Sequence, residues 1–140
     1  MRLSRDSLGF VLADVSRLMR RAFALRLKAR SLTLAQARAL VYVSLHEGIR
    51  QVELASLLEV QPITLARLID QLDRSGLVER RVHPGDGRAY QLFLRPAARK
   101  QLAEVGRVAA AVRAKALRGL GGKEAGAVLA GLRKMRENLT

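Results

Sequence analysis

The sequence contains no cysteine and no tryptophan, and aromatic residues make up only 4% of its 140 positions. The absence of thiols excludes disulfides, thiolate metal sites, cysteine nucleophiles and thiol redox sensing at once. So few aromatic rings leave a core to be built from leucine, valine and alanine. Histidine occurs twice, as His46 and His83, far apart in the chain. A zinc site needs three or four donors, so neither histidine points to one. No uncharged apolar run approaches the roughly 18 residues of a membrane span. Residues 1–9 alternate charge with leucine, unlike a secretory leader, and a cytoplasmic location is expected. Acidic residues are scarce as well, 12 against 26 lysines and arginines, for a formal net charge of +14.

What remains is ample for one folded unit. A length of 140 residues suits a single domain, and 49% hydrophobic residues can supply its core. The positive charge draws polyanions, so nucleic acid and an anionic membrane surface are the macromolecular partners to weigh. Its distribution is uneven: residues 1–33, 34–60, 61–95 and 96–140 carry +6, −1, +2 and +7. The excess sits on the two ends, where solvated helix faces account for it equally well. Charge alone therefore does not locate a nucleic-acid site.

Apolar residues Leu8, Val11, Leu12, Val15, Leu18, Met19, Ala22 and Leu25 recur at spacings of three and four, which predicts an amphipathic helix ending near Arg30. Thr33 followed by Gln36 forms a capping-box signature for a second helix over Leu34 to Leu45, with Gly48 as a stop. Val52 to Leu58 is predicted as a short third helix. Pro62, favoured in a first turn, opens a fourth carrying Leu65, Leu68, Ile69 and Leu72, closed by Ser75 and Gly76. Two helices joined by Glu59 to Gln61 make a helix-turn-helix candidate. The period then changes to that of strands: Leu77-Val78 and Tyr90 to Leu94 flank His83-Pro84-Gly85-Asp86-Gly87-Arg88, a hairpin with a mobile basic tip. Pro96 opens a fifth helix with a narrow seam of Leu102, Val105, Ala109, Val112 and Ala116. After Gly119 to Gly122, a last helix from Lys123 to about Leu139 places Ala125, Val128, Leu129, Leu132 and Met135 on one face.

Several segments then become specific together: Glu53-Leu54-Ala55 to Val60, Pro62 to Leu72, Gly76-Leu77-Val78-Glu79-Arg80 and Asp86-Gly87-Arg88. This pattern resembles the MarR/SlyA family of bacterial transcription regulators over nearly the whole chain. The resemblance implies a mainly α fold with a small β wing, a winged helix-turn-helix flanked by N- and C-terminal dimerisation helices. Residues 1–30 and 97–140 would dimerise and 31–96 would bind DNA, within one domain over 1–140. It also implies a homodimer whose recognition helices enter successive major grooves of double-stranded DNA while the wings reach minor grooves. Repression of transcription and release by small acidic or phenolic ligands belong to the same implication. Two positions depart from the family pattern. Glu59 stands where glycine is common and would need an uncommon backbone conformation. Arg95-Pro96 follows Leu94 where Leu-Thr is usual, which removes a hydroxyl helix cap.

The residues support the same mechanism independently. Opposite the apolar stripe, the fourth helix offers Ile63, Ala66, Arg67 and Gln71, with Pro62 and Thr64 in its first turn. Arginine can bond guanine and glutamine can bond adenine in a major groove. Arg67 equally fits a phosphate contact or an ion pair with Asp70, and Thr64 fits a phosphate contact or a local cap. On the hairpin, Arg80, Arg81, Asp86 and Arg88 complete the DNA-binding set. Arg88 is expected in the minor groove, and Asp86 is expected to fold back onto Arg80, Arg81 or Arg88. Arg17, Arg20 and Arg21 border the first helix's stripe and are the candidate ligand-binding residues for an aromatic carboxylate, solvation or DNA contact being the alternative.

Enzyme readings fail on parts. Asp70 and Asp73 share a helix but lie beside Arg67 and Arg74, which makes solvated ion pairs the better account. His46 suits a helix C-terminus facing backbone carbonyls. Gly119 to Gly122 lacks the strand and the Lys-Ser/Thr ending of a phosphate loop. No cofactor, metal or catalytic residue is expected. A membrane-surface helix over the first stripe is the competitor from another class, and it loses because that stripe is needed for packing. Within DNA binding, the alternative is an architectural, nucleoid-like protein of low sequence preference.

Overall fold

Six helices and one hairpin follow one another in the computed structural model, which describes residues 2–28 and 30–140. They are α1 (Leu8–Leu27), α2 (Leu34–Leu45), α3 (Gln51–Leu58), α4 (Pro62–Arg74), β1 (Val78–His83), β2 (Asp86–Leu94), α5 (Ala98–Ala116) and α6 (Gly122–Leu139). The fold is thus the predicted one, mainly α with a small β wing.

Local chemistry explains most boundaries. At the start of α2 the Thr33 hydroxyl accepts from the Gln36 amide (3.1 Å) while the Gln36 side chain accepts from the Thr33 amide (3.0 Å), so two orphan donors are satisfied. Gly76 takes φ +74° just beyond α4, a conformation that favours glycine. Glu59 also lies in the left-handed region, with φ 54° and ψ 43°, and the Val60 amide reaches back to Ala55 O at 3.0 Å. This closes α3 with a left-handed cap built on a side chain that pays a steric penalty there. Ala97 precedes α5 without a side-chain cap, as the loss of a hydroxyl residue foretold.

The end of α1 and the start of β2 differ from the sequence reading. Helix α1 stops at Leu27 rather than near Arg30. Leu27 is buried, and Arg30 leaves the helix line to pair with Glu104 of α5 at 3.0 Å. Ala29 lies outside the described residues. Strand β2 begins at Asp86, four residues before the predicted Tyr90, so Arg88 belongs to a strand rather than to a mobile loop. The turn is held by His83 Nδ1 accepting from the Gly85 amide (2.9 Å), with a register shift between Val82 and His83. Gly48 and Ile49 form a further short pairing with β2: Gly48 N–H donates to Leu92 O and Leu92 N–H to Ile49 O, both at 2.9 Å.

The core joins Leu40 and Val43 of α2, Leu54 of α3, Leu65, Ile69 and Leu72 of α4, and Val78 and Leu92 of the hairpin, all essentially inaccessible. Aliphatic packing of this kind stabilises by about 25 cal/mol per Å² of apolar surface buried. It makes the helix-turn-helix and the base of the wing one rigid body. Helix α1 packs on α5 and α2 through its C-terminal half. Its N-terminal half leaves Leu8, Val11, Val15 and Leu18 exposed, and α6 buries none of its residues. Among the described residues no helix is long and apolar enough to cross a membrane.

Candidate nucleic-acid interface

Helix α4 is aimed outward by its own periodicity. Leu65, Ile69 and Leu72 anchor one side, and Pro62, Ile63, Thr64 and Arg67 are exposed on the other. Ile63 is 65% exposed, unusual for so large an apolar side chain at the start of a helix. Arg67 has no hydrogen bond or ion pair among the described residues, so its guanidinium is available. Ala66 is half-buried, with its carbonyl taken by Arg80. Gln71 is exposed, yet its Oε1 accepts from Gln36 Nε2 of α2 at 2.8 Å, which ties it to the scaffold.

The ion pairs differ from the sequence reading. Asp70 pairs with Arg80 of β1 (2.6 Å) and Asp73 with Arg95 (3.2 Å), rather than with Arg67 and Arg74 on their own helix. The hairpin brings these guanidinium groups against α4, and a fork reaching across elements satisfies more donors than an i, i+3 or i, i+4 neighbour. Arg80 is the centre of this arrangement: Nη1 donates to Asp70 Oδ1, Nε to Gln51 Oε1 of α3 (2.8 Å) and Nη2 to Ala66 O of α4 (3.1 Å). One side chain thereby fastens the wing to both helices of the helix-turn-helix. Arg81 points to the other face of the hairpin, 3.9 Å from the centroid of Phe93 and paired with Glu79 at 2.5 Å.

Asp86 does not pair with a wing guanidinium. Its Oδ1 accepts from the backbone N–H of Arg88 at 3.0 Å. An aspartate at a tight turn finds a backbone amide two residues on at little entropic cost, and this local bond wins. The guanidinium of Arg88, like that of Arg67, makes no hydrogen bond or ion pair among the described residues. Arg67 on the helix and Arg88 on the wing are thus free, while Arg80, Arg81 and Arg95 are committed.

Between the wing and the starts of α3 and α4 runs an open cleft of about 260 Å³ lined by Arg50, Gln51, Val52, Pro62, Asp86, Arg88, Ala89 and Tyr90. A second cavity, about 290 Å³, lies between α1, α2 and α5, with Met19, Phe23, Val41, Tyr42 and Val105 as apolar wall and Arg20 and Arg38 as its cations. A groove of about 490 Å³ adjoins it between α1 and the end of α5 and includes Val15, Leu18, Arg21 and Val112. Of the three arginines predicted to meet a ligand, Arg20 faces the cavity and Arg21 the groove. Arg17 points away, paired with Asp14 at 3.4 Å. His46 caps α2 with its amide on Tyr42 O and Val43 O, and its ring stacks on Tyr42.

The family model described as MarR family matches residues 32–90. A solved MarR superposes with a TM-score of 0.87 at 26% identity, covering 99% of this chain and 95% of its own. A MarR-family transcriptional regulator from Silicibacter pomeroyi gives 0.82 at 26% identity over 100% and 97% of the two chains. The whole chain thus has the fold of MarR, and residues 32–90 match the MarR family model. A mutant MarR from E. coli complexed with operator DNA shares the fold, with a TM-score of 0.74 at 24% identity over 91% of this chain and 92% of its own.

Sequence reasoning missed Arg38, Arg50 and Tyr90 as site-lining residues. Helix α2 is apolar on most of its faces, so Arg38 had no polar face to announce it. Arg50 and Tyr90 line one cleft because the Gly48–Ile49 segment pairs with β2, a contact of long sequence separation without local periodicity.

Proposed function

We propose that this chain is a MarR-family transcriptional regulator that acts as a homodimer on a pseudo-palindromic duplex, with α4 in the major groove and the wing at the minor groove. The observation that carries the reading is the pair of unengaged guanidinium groups, Arg67 and Arg88, on a wing and helix that Arg80 locks together. In this reading Arg67 reads a base edge or phosphate, and Ile63 offers an apolar contact to a thymine methyl group. Pro62 and Thr64 border the backbone. Arg88 lies along a minor groove about 6 Å wide, where a guanidinium responds to groove width. Arg80, Asp86 and Gln71 hold these groups in place rather than touch bases, Ala66 lets α4 approach the wing closely, and Arg81 adds peripheral charge. The fold of the operator-bound relative supports the docking.

Residues 31–96 form the DNA-binding part and residues 1–30 and 97–140 the dimer-forming part. The apolar faces of α1 and α6, bare in one chain, together with the groove beside α5, fit a second copy of the chain. As a repressor the dimer would leave DNA when a small aromatic carboxylate or phenol occupied the cavity beside Arg20 and Arg38, where an apolar wall meets a cation. Salicylate at millimolar concentration should then raise the melting temperature and weaken DNA binding; no change in either removes the effector reading.

Selection of bound duplexes from a random pool tests the whole. Enrichment of two inverted half-sites about 10 base pairs apart supports the reading. Recovery of unenriched sequences would instead favour the architectural alternative, to which the basic chain ends lend themselves.

A further inference from the structure

The cleft between wing and helix-turn-helix holds two side chains that no role yet claims, Arg50 and Tyr90. The inference drawn from them rests on the DNA-binding reading above. A protein that places α4 in a major groove and its wing in the adjoining minor groove straddles the sugar-phosphate strand separating those grooves. The space available to that strand lies between β2 and the starts of α3 and α4, and this is where the cleft opens.

We infer that Arg50 and Tyr90 form a clamp for one backbone phosphate of that strand in each protomer. Arg50 precedes α3 in an extended conformation with no side-chain cap on the helix. Its Nε is buried and has no hydrogen-bond partner among the described residues. Glu53 Oε1 forms a loose ion pair with it at 3.8 Å, half exposed and too long for a hydrogen bond, so the donor itself stays unsatisfied. A buried donor left unpaired is costly, and a guanidinium offers the fork geometry that phosphate oxygens match. Across the cleft Tyr90 is 45% exposed on β2, and its phenol makes no hydrogen bond among the described residues. The uncapped first turn of α3 adds amides and the positive end of a helix dipole to the same wall. Asp86 also lines the cleft, but its Oδ1 is occupied by the Arg88 amide. The Arg50 side chain is itself 43% accessible, so a phosphate can approach it without rearrangement of the fold.

A phosphate contact has a signature that base reading lacks: its removal weakens binding equally on all sequences and lowers the salt dependence by about one unit for each phosphate left unneutralised. Arg50→Ala should therefore bind a duplex recovered by selection and its scrambled counterpart about tenfold more weakly each, leaving their ratio unchanged. Arg50→Lys should restore most of the salt slope, and Tyr90→Phe should lose affinity by a smaller factor. The decisive experiment replaces the phosphates of the selected duplex one at a time by neutral methylphosphonate. With wild-type protein several positions per half-site should cost affinity, and with Arg50→Ala one of them, the phosphate facing the cleft, should become silent while the others keep their cost. An identical methylphosphonate profile for both proteins, with equal melting temperatures, overturns the clamp while DNA binding stands. Failure of the wild-type protein to bind any duplex overturns the DNA-binding reading and the clamp with it.

Discussion

Replacing Arg80 by methionine removes the guanidinium that fastens β1 to α3 and α4 and keeps most of the aliphatic stem. Two of its three hydrogen bonds end on uncharged oxygens, Ala66 O and Gln51 Oε1, and each contributes about 0.5–1.5 kcal/mol. The third, to Asp70, joins a side chain 20% exposed to one 50% exposed, so screening limits it to about 0.2–1 kcal/mol. Ordering the arginine side chain costs up to about 2 kcal/mol, part of which methionine also bears. The net loss should be about 1–2.5 kcal/mol, or about 3–8 °C in melting temperature for a domain of this size. Calorimetry reads this directly, and a double-mutant cycle with Asp70→Asn should give a coupling of about 0.2–1 kcal/mol. DNA affinity should fall because the wing loses its alignment with α4, whereas the salt slope of binding should not change. An unchanged melting temperature with zero coupling would refute the brace, and a reduced salt slope would make Arg80 a phosphate contact instead.

Glu59→Gly should stabilise the protein by about 0.5–1 kcal/mol in urea unfolding, since glycine adopts φ 54° without the steric penalty that glutamate bears; destabilisation would mean the glutamate side chain makes a compensating contact. Leu129→Glu with Leu132→Glu should convert a dimer to a monomer in sedimentation while leaving helix content intact, because neither residue is buried within its own chain. A dimer that survives would move the interface away from α6. Arg88→Ala should weaken DNA binding much more than Arg113→Ala and should blunt preference for A·T-rich flanks. Equal small losses, with flank preference intact, would remove the wing from recognition.

The parts of the fold written in the sequence are those set by neighbours within a few residues. Thr33 with Gln36, Pro62 at the start of α4 and Gly76 at its end all act within one helical turn, and each lies where its local chemistry places it. Even the strain at Glu59 was legible, because a missing glycine at a helix-turn-helix bend leaves few alternatives. What the sequence hid were contacts made by folding. Arg80 meets Gln51, 29 positions away, and Gln36 meets Gln71 across 35. Asp70 and Asp73 looked ready to pair along their own helix, but the hairpin delivered better-placed partners. The Gly48–Ile49 pairing with Leu92 was likewise invisible, for two residues carry no period. Of the outward set on α4 read from helical spacing, Ile63, Arg67 and Gln71 are exposed while Ala66 is half-buried beneath Arg80, and the separation of free Arg67 and Arg88 from committed Arg80 and Arg81 needed the tertiary structure.

The most direct test of sequence-specific binding is the ratio of dissociation constants for the selected duplex and a scrambled duplex of equal length at one salt concentration near physiological ionic strength, about 0.15 M. Recognition by α4 and wing predicts a ratio of about 10³ or more, collapsing toward that of non-specific binding in a protein carrying both Arg67→Ala and Arg88→Ala. A ratio near one for the wild-type protein would contradict it.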